Sequence, residues 1–417
     1  MSATPKRELS LFDSTCIIVG IIIGAGIYQM APDIAKGAGS TWGVFALWIV
    51  GGLLSLAGAL SYAELATAYP RAGGDYVYLS KAYGPWAGFL FGWAQLTVVR
   101  PGDIAVMAFA FATYGRAIYD PLPGHPEISQ RVFAAGATLV LTIINILGVR
   151  QGKWTQNLLT TAKSVGLLAI VGIAVIAPHQ QRSVAEVNAL PMSLALIFVL
   201  FTYGGWNEMA YVAAEVKDPR RNIVRALVTG TAAVITLYIL VNGAFLYTLG
   251  YKGLAGSQAV ASETIATVFP TVGSRLISAL VCVSALGAVN GLIFTGARIS
   301  YAIGEDHRIF KALGRWDPRT GTPIWALAVQ GLIALSLILA FGGYIDAILY
   351  TAAAVYAFYL GTSLSVIVLR FKEPGVERPY KVTGYPVTPL VFSGVCALLI
   401  YSSLNYARAV KPKSLVV

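Results

Sequence analysis

Two glycine-interrupted stretches inside apolar sequence are where this chain could do chemistry: Gly20-Ile21-Ile22-Ile23-Gly24-Ala25-Gly26 and Phe201-Thr202-Tyr203-Gly204-Gly205-Trp206. Glycine inside a helix costs roughly 1 kcal/mol relative to alanine. The backbone groups it frees are tolerated at membrane depth only where they line a cavity or bind something. A helix broken at such a point offers both kinds of polar end. Free N–H groups of Ala25, Gly26 and Ile27 could take an anion, with the helix dipole behind them. Free carbonyls of Ile22, Phe201 and Gly204 could take a cation. Ile22, Ile23, Gly24, Ala25, Gly26 and Ile27, facing Phe201, Thr202, Tyr203, Gly204, Gly205 and Asn207, therefore form a candidate receptor for a zwitterion. Backbone dipoles avoid burying a charged side chain, which costs about 2.5 to 3.5 kcal/mol at mid-span. Two other readings exist: Gly20 and Gly24 form a GxxxG that could serve close helix packing, and Gly24-x-Gly26 lacks the preceding strand and third glycine of a dinucleotide loop.

Ionisable residues inside apolar sequence form the second set. Lys163 lies eight residues beyond Thr155, roughly 12 Å into a layer of about 30 Å. A lysine at that depth needs a partner, unless it snorkels to the interface or exchanges a proton. Arg100 and Asp103, three apart on one helix, are expected to neutralise each other locally. Glu64 is expected near the end of its helix, within reach of a basic group such as Arg298. Asn207 can tie freed backbone groups together.

These residues are positioned by membrane-spanning helices. The chain of 417 residues is 57% hydrophobic and 12% charged, with mean hydropathy +0.70, whereas soluble domains carry about 25% charged residues. About eleven apolar blocks are long enough to cross a bilayer, near Asp13 to Ala35, Thr41 to Ala68, Trp86 to Tyr114, Val132 to Gly148, Thr155 to Ala177, Ser193 to Ala214, Ala226 to Leu249, Val272 to Ile303, Pro323 to Phe341, Ile345 to Leu369 and Val387 to Leu404. The fold class is thus an all-α integral membrane protein in one polytopic domain, with the first apolar block retained rather than cleaved as a signal. The two interrupted spans are five apart. That spacing predicts an inverted repeat of five plus five helices, residues 13–177 and 190–370, with the site at the repeat interface and an eleventh helix over 385–406.

Loop charges set the orientation. Lys6 and Arg7 precede the first span. Loops predicted on the same side carry Arg71, Lys81, Arg150, Lys153, Lys217, Arg220, Arg221, Arg225, Arg308, Lys311, Arg315, Arg319, Lys372, Arg378 and Lys381, against Lys36, Arg116, Arg131, Arg182, Lys252 and Arg275 opposite. This places the N-terminus in the cytoplasm of a cell (inner or plasma) membrane. The net charge of +11 then reflects topology and anionic lipid, with no nucleic acid implied. Cys16, Cys282 and Cys396 all fall within apolar blocks, so no disulfide-linked ancillary subunit is expected.

The chain resembles the amino acid, polyamine and organocation (APC) superfamily, and within it the L-type amino acid transporters. The resemblance rests on Gly24-Ala25-Gly26-Ile27-Tyr28, on Tyr62-Ala63-Glu64-Leu65 through Pro70-Arg71-Ala72-Gly73-Gly74-Asp75-Tyr76, on Arg100-Pro101, on Tyr203-Gly204-Gly205-Trp206-Asn207 through Glu215 and Pro219, and on Gly287-Ala288-Val289-Asn290-Gly291 leading to Arg298. It implies a fold of the LeuT type with helices 1 and 6 broken, and a small amino acid bound by their backbone. Phe201 falls where the family places an aromatic lid over substrate, though plain packing is its alternative; Phe201 and Trp206 are the gating candidates. In sodium-driven relatives of this fold a cation bridges helices 1 and 8. The resemblance implies that an ammonium on helix 5 replaces it, and Lys163 matches that position as a coupling-ion surrogate. Glu208 stands where neutral amino acid carriers of the family usually lack an acid, so it could favour a cationic substrate or serve a polar helix contact. Tyr356, beside the small residues Thr351 to Val355, is a further specificity candidate. Family members typically have a twelfth span, which is not visible in this sequence.

These features predict sodium-independent exchange of neutral L-amino acids by alternating access, with cationic amino acid or polyamine transport, with or without proton coupling, as the alternative. An enzyme is not expected. His125, His179 and His307 lie in separate loops, no metal-ligand spacing occurs, and no Gly-x-Ser-x-Gly elbow is present. No cofactor or metal is called for. A channel would need a continuous polar pore, and a non-transporting amino acid sensor would share the same binding site.

Overall fold

The computed structural model of the chain describes residues 4–179, 189–340 and 344–410, with backbone alone described for 344–353, 404 and 406–410. Among these residues the protein is helical, with two isolated β-bridges and no strand. The helices are α1 (Leu11–Ile22), α2 (Gly26–Gln29), α3 (Ala31–Ala38), α4 (Thr41–Ala68), α5 (Asp75–Tyr83), α6 (Pro85–Ala94), α7 (Arg100–Ile118), α8 (Pro126–Leu147), α9 (Val149–Ile176), α10 (Met192–Thr202), α11 (Pro219–Gly256), α12 (Val260–Ala266), α13 (Gly273–Asp306), α14 (Ile324–Ala340), α15 (Tyr344–Lys372) and α16 (Val387–Val410). Eight described segments are long and apolar enough to span a membrane. Ile324–Ala340 and Val387–Ser403 are shorter apolar helices.

Each apolar block contains a helix, but three short helices, α3, α5 and α12, were not separately expected. The first block ends in α3 because Pro32 can start a helix but not continue one. The third is divided by a π-helical turn, Gln95–Val99, in which the Arg100 N–H reaches back to the Gln95 carbonyl. Pro101 follows immediately, and the wide turn sets the direction in which Arg100 leaves the helix. Long α11 kinks at Gly250, where φ is +68°.

Buried polar side chains fix how the helices meet. The α1 N-terminus is closed by a capping box, Ser10 with Asp13. Asp13 also accepts from Asn157 at 2.7 Å and from Lys153 at 3.2 Å, pinning α1 to α9. The segment before α1 pairs with the chain ahead of α11: the Leu9 N–H donates to the Glu215 carbonyl and the Lys217 N–H to the Leu9 carbonyl, both at 2.9 Å.

Two expected ion pairs are replaced by others. Glu64 is not met by Arg298. It accepts a fork from Arg370 at 2.8 and 2.6 Å, with Arg378 Nε 3.5 Å away and the Val382 N–H at 2.6 Å. Arg298 is instead clamped to Glu215 by two bonds of 2.7 and 2.9 Å. Arg100 and Asp103 do not form an ion pair; Arg100 Nη1 donates to Glu208 at 2.9 Å. In each case a partner far away in sequence displaced the local or guessed one, because a buried guanidinium needs a planar, bidentate or fully enclosed acceptor.

Candidate functional site

The first break runs through Ile23–Ala25. α1 ends at Ile22, the Gly24 N–H turns back to the Ile22 carbonyl at 2.8 Å, and α2 resumes at Gly26. No backbone acceptor among the described residues takes the N–H of Ala25, Gly26 or Ile27, as expected of the orphan donors at a helix start. On the other side of the break, the Val19 carbonyl still accepts from the Ile23 N–H and that of Ile22 from Gly24, while among the described residues those of Gly20 and Ile21 take no backbone donor across the break.

The second break mirrors this in the next interrupted span. α10 stops at Thr202, Gly204 N–H bonds the Phe201 carbonyl at 2.9 Å, and Gly205 takes φ +109° before a 3₁₀ segment, Trp206–Glu215. Only glycine adopts that φ without strain. A Cβ on Gly205 would also lie 2.7 Å from Ile21 Cγ2 and 3.2 Å from the Ile22 nitrogen, so the two breaks touch. Gly26 meets Thr202 in the same way, 3.3 Å from an imagined Cβ.

Lys163 is fully buried and donates to three carbonyls: Gly20 at 2.6 Å, Ile23 at 2.7 Å and Ser284 at 3.0 Å. It joins α1 and its break to α13. Its helix begins at Val149, earlier than Thr155, so Lys163 stands fourteen residues in, about 21 Å along a helix of about 42 Å. Gly287 makes the space it needs, and Gly20 lets α1 approach α9 beside it. A Cβ on Gly287 would fall 2.6 Å from Lys163 Nζ, and one on Gly20 would fall 2.2 Å from Thr160 Oγ1 and 2.1 Å from Gln156 Nε2. Gly20 therefore serves close packing of α1 on α9, whereas Gly24 of the same GxxxG faces Met107 of α7.

Tyr238 of α11 joins the site without any mark in the sequence. Its hydroxyl donates to the Ile22 carbonyl at 2.9 Å and faces the Thr202 carbonyl at 3.4 Å, one atom touching the ends of both broken helices. A tyrosine in an apolar helix carries no local signal of this. Tyr28, just past the first break, reaches Ser284 Oγ at 3.1 Å. Met107 of α7 packs 3.2 Å from where a Gly24 Cβ would stand.

The remaining candidates fall around the second break. Phe201 is half-buried, Tyr203 is buried and donates to the Trp48 carbonyl at 3.1 Å. Trp206 is buried edge-on against Tyr62 and Phe392, with ring centroids 5.1 and 5.4 Å away. Asn207 donates to the Tyr211 hydroxyl at 2.8 Å and accepts from Tyr359 at 3.1 Å. Glu208, besides its pair with Arg100, accepts from Thr295 at 2.5 Å. Tyr356 is half-buried, its ring 6.2 Å from that of Tyr359. The side chains of Thr351, Ala352 and Ala353 lie outside those described. Among the described residues no group of His, Cys, Asp or Glu is arranged to hold a metal.

Adjacent broken helices with inward-facing backbone, buried in a polytopic helical bundle, define a membrane transporter rather than an enzyme. Residues 9–415 match the amino acid permease family, and the chain belongs to it. Among its relatives, the b(0,+)-type amino acid transporter 1 of Mus musculus is 33% identical over 408 residues, covering 96% of this chain and 83% of that protein. Its Homo sapiens counterpart is 32% identical over the same shares. The large neutral amino acids transporter small subunit 2 of Mus musculus is 33% identical over 416 residues, 95% of this chain and 76% of that protein. This protein is an amino acid transporter.

Proposed function

We propose that the chain exchanges neutral L-amino acids across a cell membrane without sodium. The substrate carboxylate binds the N–H groups at Ala25, Gly26 and Ile27, and the ammonium binds carbonyls at the ends of both broken helices, from Ile22, Phe201 and Gly204. The observation that carries this reading is the three-carbonyl seat of Lys163. Oxygen ligands from α1 and α13 are what a monovalent cation would require, and a fixed ammonium already fills their place. Glu208 favours the neutral reading over the cationic one, because Arg100 and Thr295 already occupy its two oxygens.

The same proposal takes residues 13–177 and 190–370 as inverted repeats with α16 outside them, Phe201 and Trp206 as gates, and the N-terminus as cytoplasmic. It also takes the chain to have no disulfide-linked second subunit, a reading supported by the burial of Cys16, Cys282 and Cys396. The test uses proteoliposomes holding purified protein and preloaded with one neutral amino acid. Labelled neutral amino acid should enter faster than into empty vesicles, equally in sodium and in choline. Dependence on sodium, or indifference to what is inside, would overturn the reading.

A further inference from the structure

Asp75 opens α5, between the spans formed by α4 and by α6 with α7, and is fully buried. Its Oδ1 accepts from the Tyr62 and Thr362 hydroxyls, while Oδ2 has no hydrogen-bond partner among the described residues. An ionised carboxylate with a bare buried oxygen costs more than a neutral carboxyl in the same place.

The groups facing Asp75 supply no compensating charge. α4 contributes Tyr62, α5 itself Tyr78, the 3₁₀ segment Tyr211, and α15 Tyr359 and Thr362. α6 carries no titratable side chain. From α7, Arg100 lies over the Tyr211 ring at 5.4 Å but pairs with Glu208. From α13, Asp306 bonds Tyr76 at 3.0 Å and His307 packs on the Tyr76 ring, at a different residue of α5. No cation among the described residues comes within ion-pair distance of Asp75. Burial lifts its carboxyl from the ordinary 3.8 to about 6, with the Thr362, Tyr62 and Tyr211 hydroxyls opposing that rise.

The carboxyl is also wired to the second break. The Gly73 N–H donates to the Tyr211 carbonyl at 3.0 Å, and a Cβ on Gly74 would lie 2.7 Å from the Tyr211 ring. Tyr62, which holds Asp75, packs edge-on against Trp206. Movement of the 3₁₀ segment away from α4 and α15 would part this layer and let water reach the carboxyl.

We propose that Asp75 is a proton-binding site that holds its proton while this layer is packed and exchanges it with water when the layer parts, so that the transport cycle contains a proton-linked step. Protonation favours the packed layer, and that advantage is lost as pH rises from about 4 through about 6. The site rests on the transporter fold and not on which amino acid is carried.

The test is infrared difference spectroscopy on the purified full-length protein, titrated between about pH 5 and pH 8. A protonated-carboxyl band should titrate near pH 6 in the wild type and be missing in Asp75→Asn. Thr362→Val, which removes a donor that stabilises the carboxylate, should move the midpoint upward. An unchanged band in Asp75→Asn, or an unmoved midpoint in Thr362→Val, overturns the proposal, and the second variant decides should the first fail to fold. In proteoliposomes the pH profile of amino acid uptake should flatten in Asp75→Asn; a wild-type profile there overturns the linkage. If the wild type carries no neutral amino acid, the infrared result still stands by itself.

Discussion

The Lys163 ammonium and the Gly20 carbonyl meet at 2.6 Å, across the interface of α9 and α1. In an unbroken helix that carbonyl would accept the N–H of Gly24, which here bonds Ile22 instead. The break thus creates the acceptor that the lysine requires. Ile23 and Ile22 complete the pattern, the first taken by Lys163 and the second by Tyr238. Replacing Lys163 with methionine keeps bulk but strands three carbonyls. Hydrogen bonds from charged groups contribute about 1.5 to 3 kcal/mol each, so we expect initial exchange rates to fall by roughly a hundredfold or more. Rates per inserted protein in proteoliposomes measure this, and near-normal flux in Lys163→Met would show that the seat has no part in transport.

Gly287 supplies a second route to the same defect. A methyl group there would sit 2.6 Å from Nζ and 2.8 Å from Cε of Lys163, so the ammonium must leave its seat. Gly287→Ala should therefore resemble Lys163→Met in transport. The double variant should be no worse than either alone, because both remove one interaction. Additive losses would mean that the glycine acts elsewhere.

The breaks were legible because the two glycine clusters fall five spans apart, whereas Gly51-Gly52 lies within unbroken α4, and Lys163 was legible because its depth demands a partner. What could not be read was set by contacts distant in sequence. The i, i+3 spacing of Arg100 and Asp103 suggested a local pair, but the π turn ahead of Arg100 aims it at Glu208, 108 positions away. Tyr238 resembles any aromatic residue on a lipid-buried helix until α11 is packed against α1 and α10. The short helices α3, α5 and α12 hid within or beside spans, since apolar runs mark burial better than they mark direction.

Arg298 and Glu215 form a fork at 2.7 and 2.9 Å with exposures of 0% and 1%. Arg298 also bonds the Phe294 carbonyl at 2.8 Å and lies 3.9 Å over the Phe294 ring. Removing one partner of a buried pair costs about 3 to 5 kcal/mol, while removing both with apolar residues costs much less. Glu215→Leu should lower the thermal midpoint in detergent strongly, and adding Arg298→Met should restore part of it. A double variant less stable than Glu215→Leu alone would contradict this account.

Tyr238 offers the narrowest test of how the two breaks cooperate. Among the described residues its hydroxyl is the one side-chain group that touches both the Ile22 and the Thr202 carbonyls, and the ring is held by Trp48 and Tyr203 at centroid distances of 5.5 and 5.2 Å. Tyr238→Phe keeps that packing and removes only the donor. A neutral hydrogen bond contributes about 1 kcal/mol net, equivalent to about a fivefold change in an equilibrium constant. If the hydroxyl holds the two helix ends in register for substrate, the apparent affinity for amino acid should weaken by about that factor. The thermal midpoint should move little, because the ring contacts persist and Ile22 keeps the Gly24 N–H. Unchanged affinity with a large loss of stability would make Tyr238 a brace for the bundle and not part of the receptor.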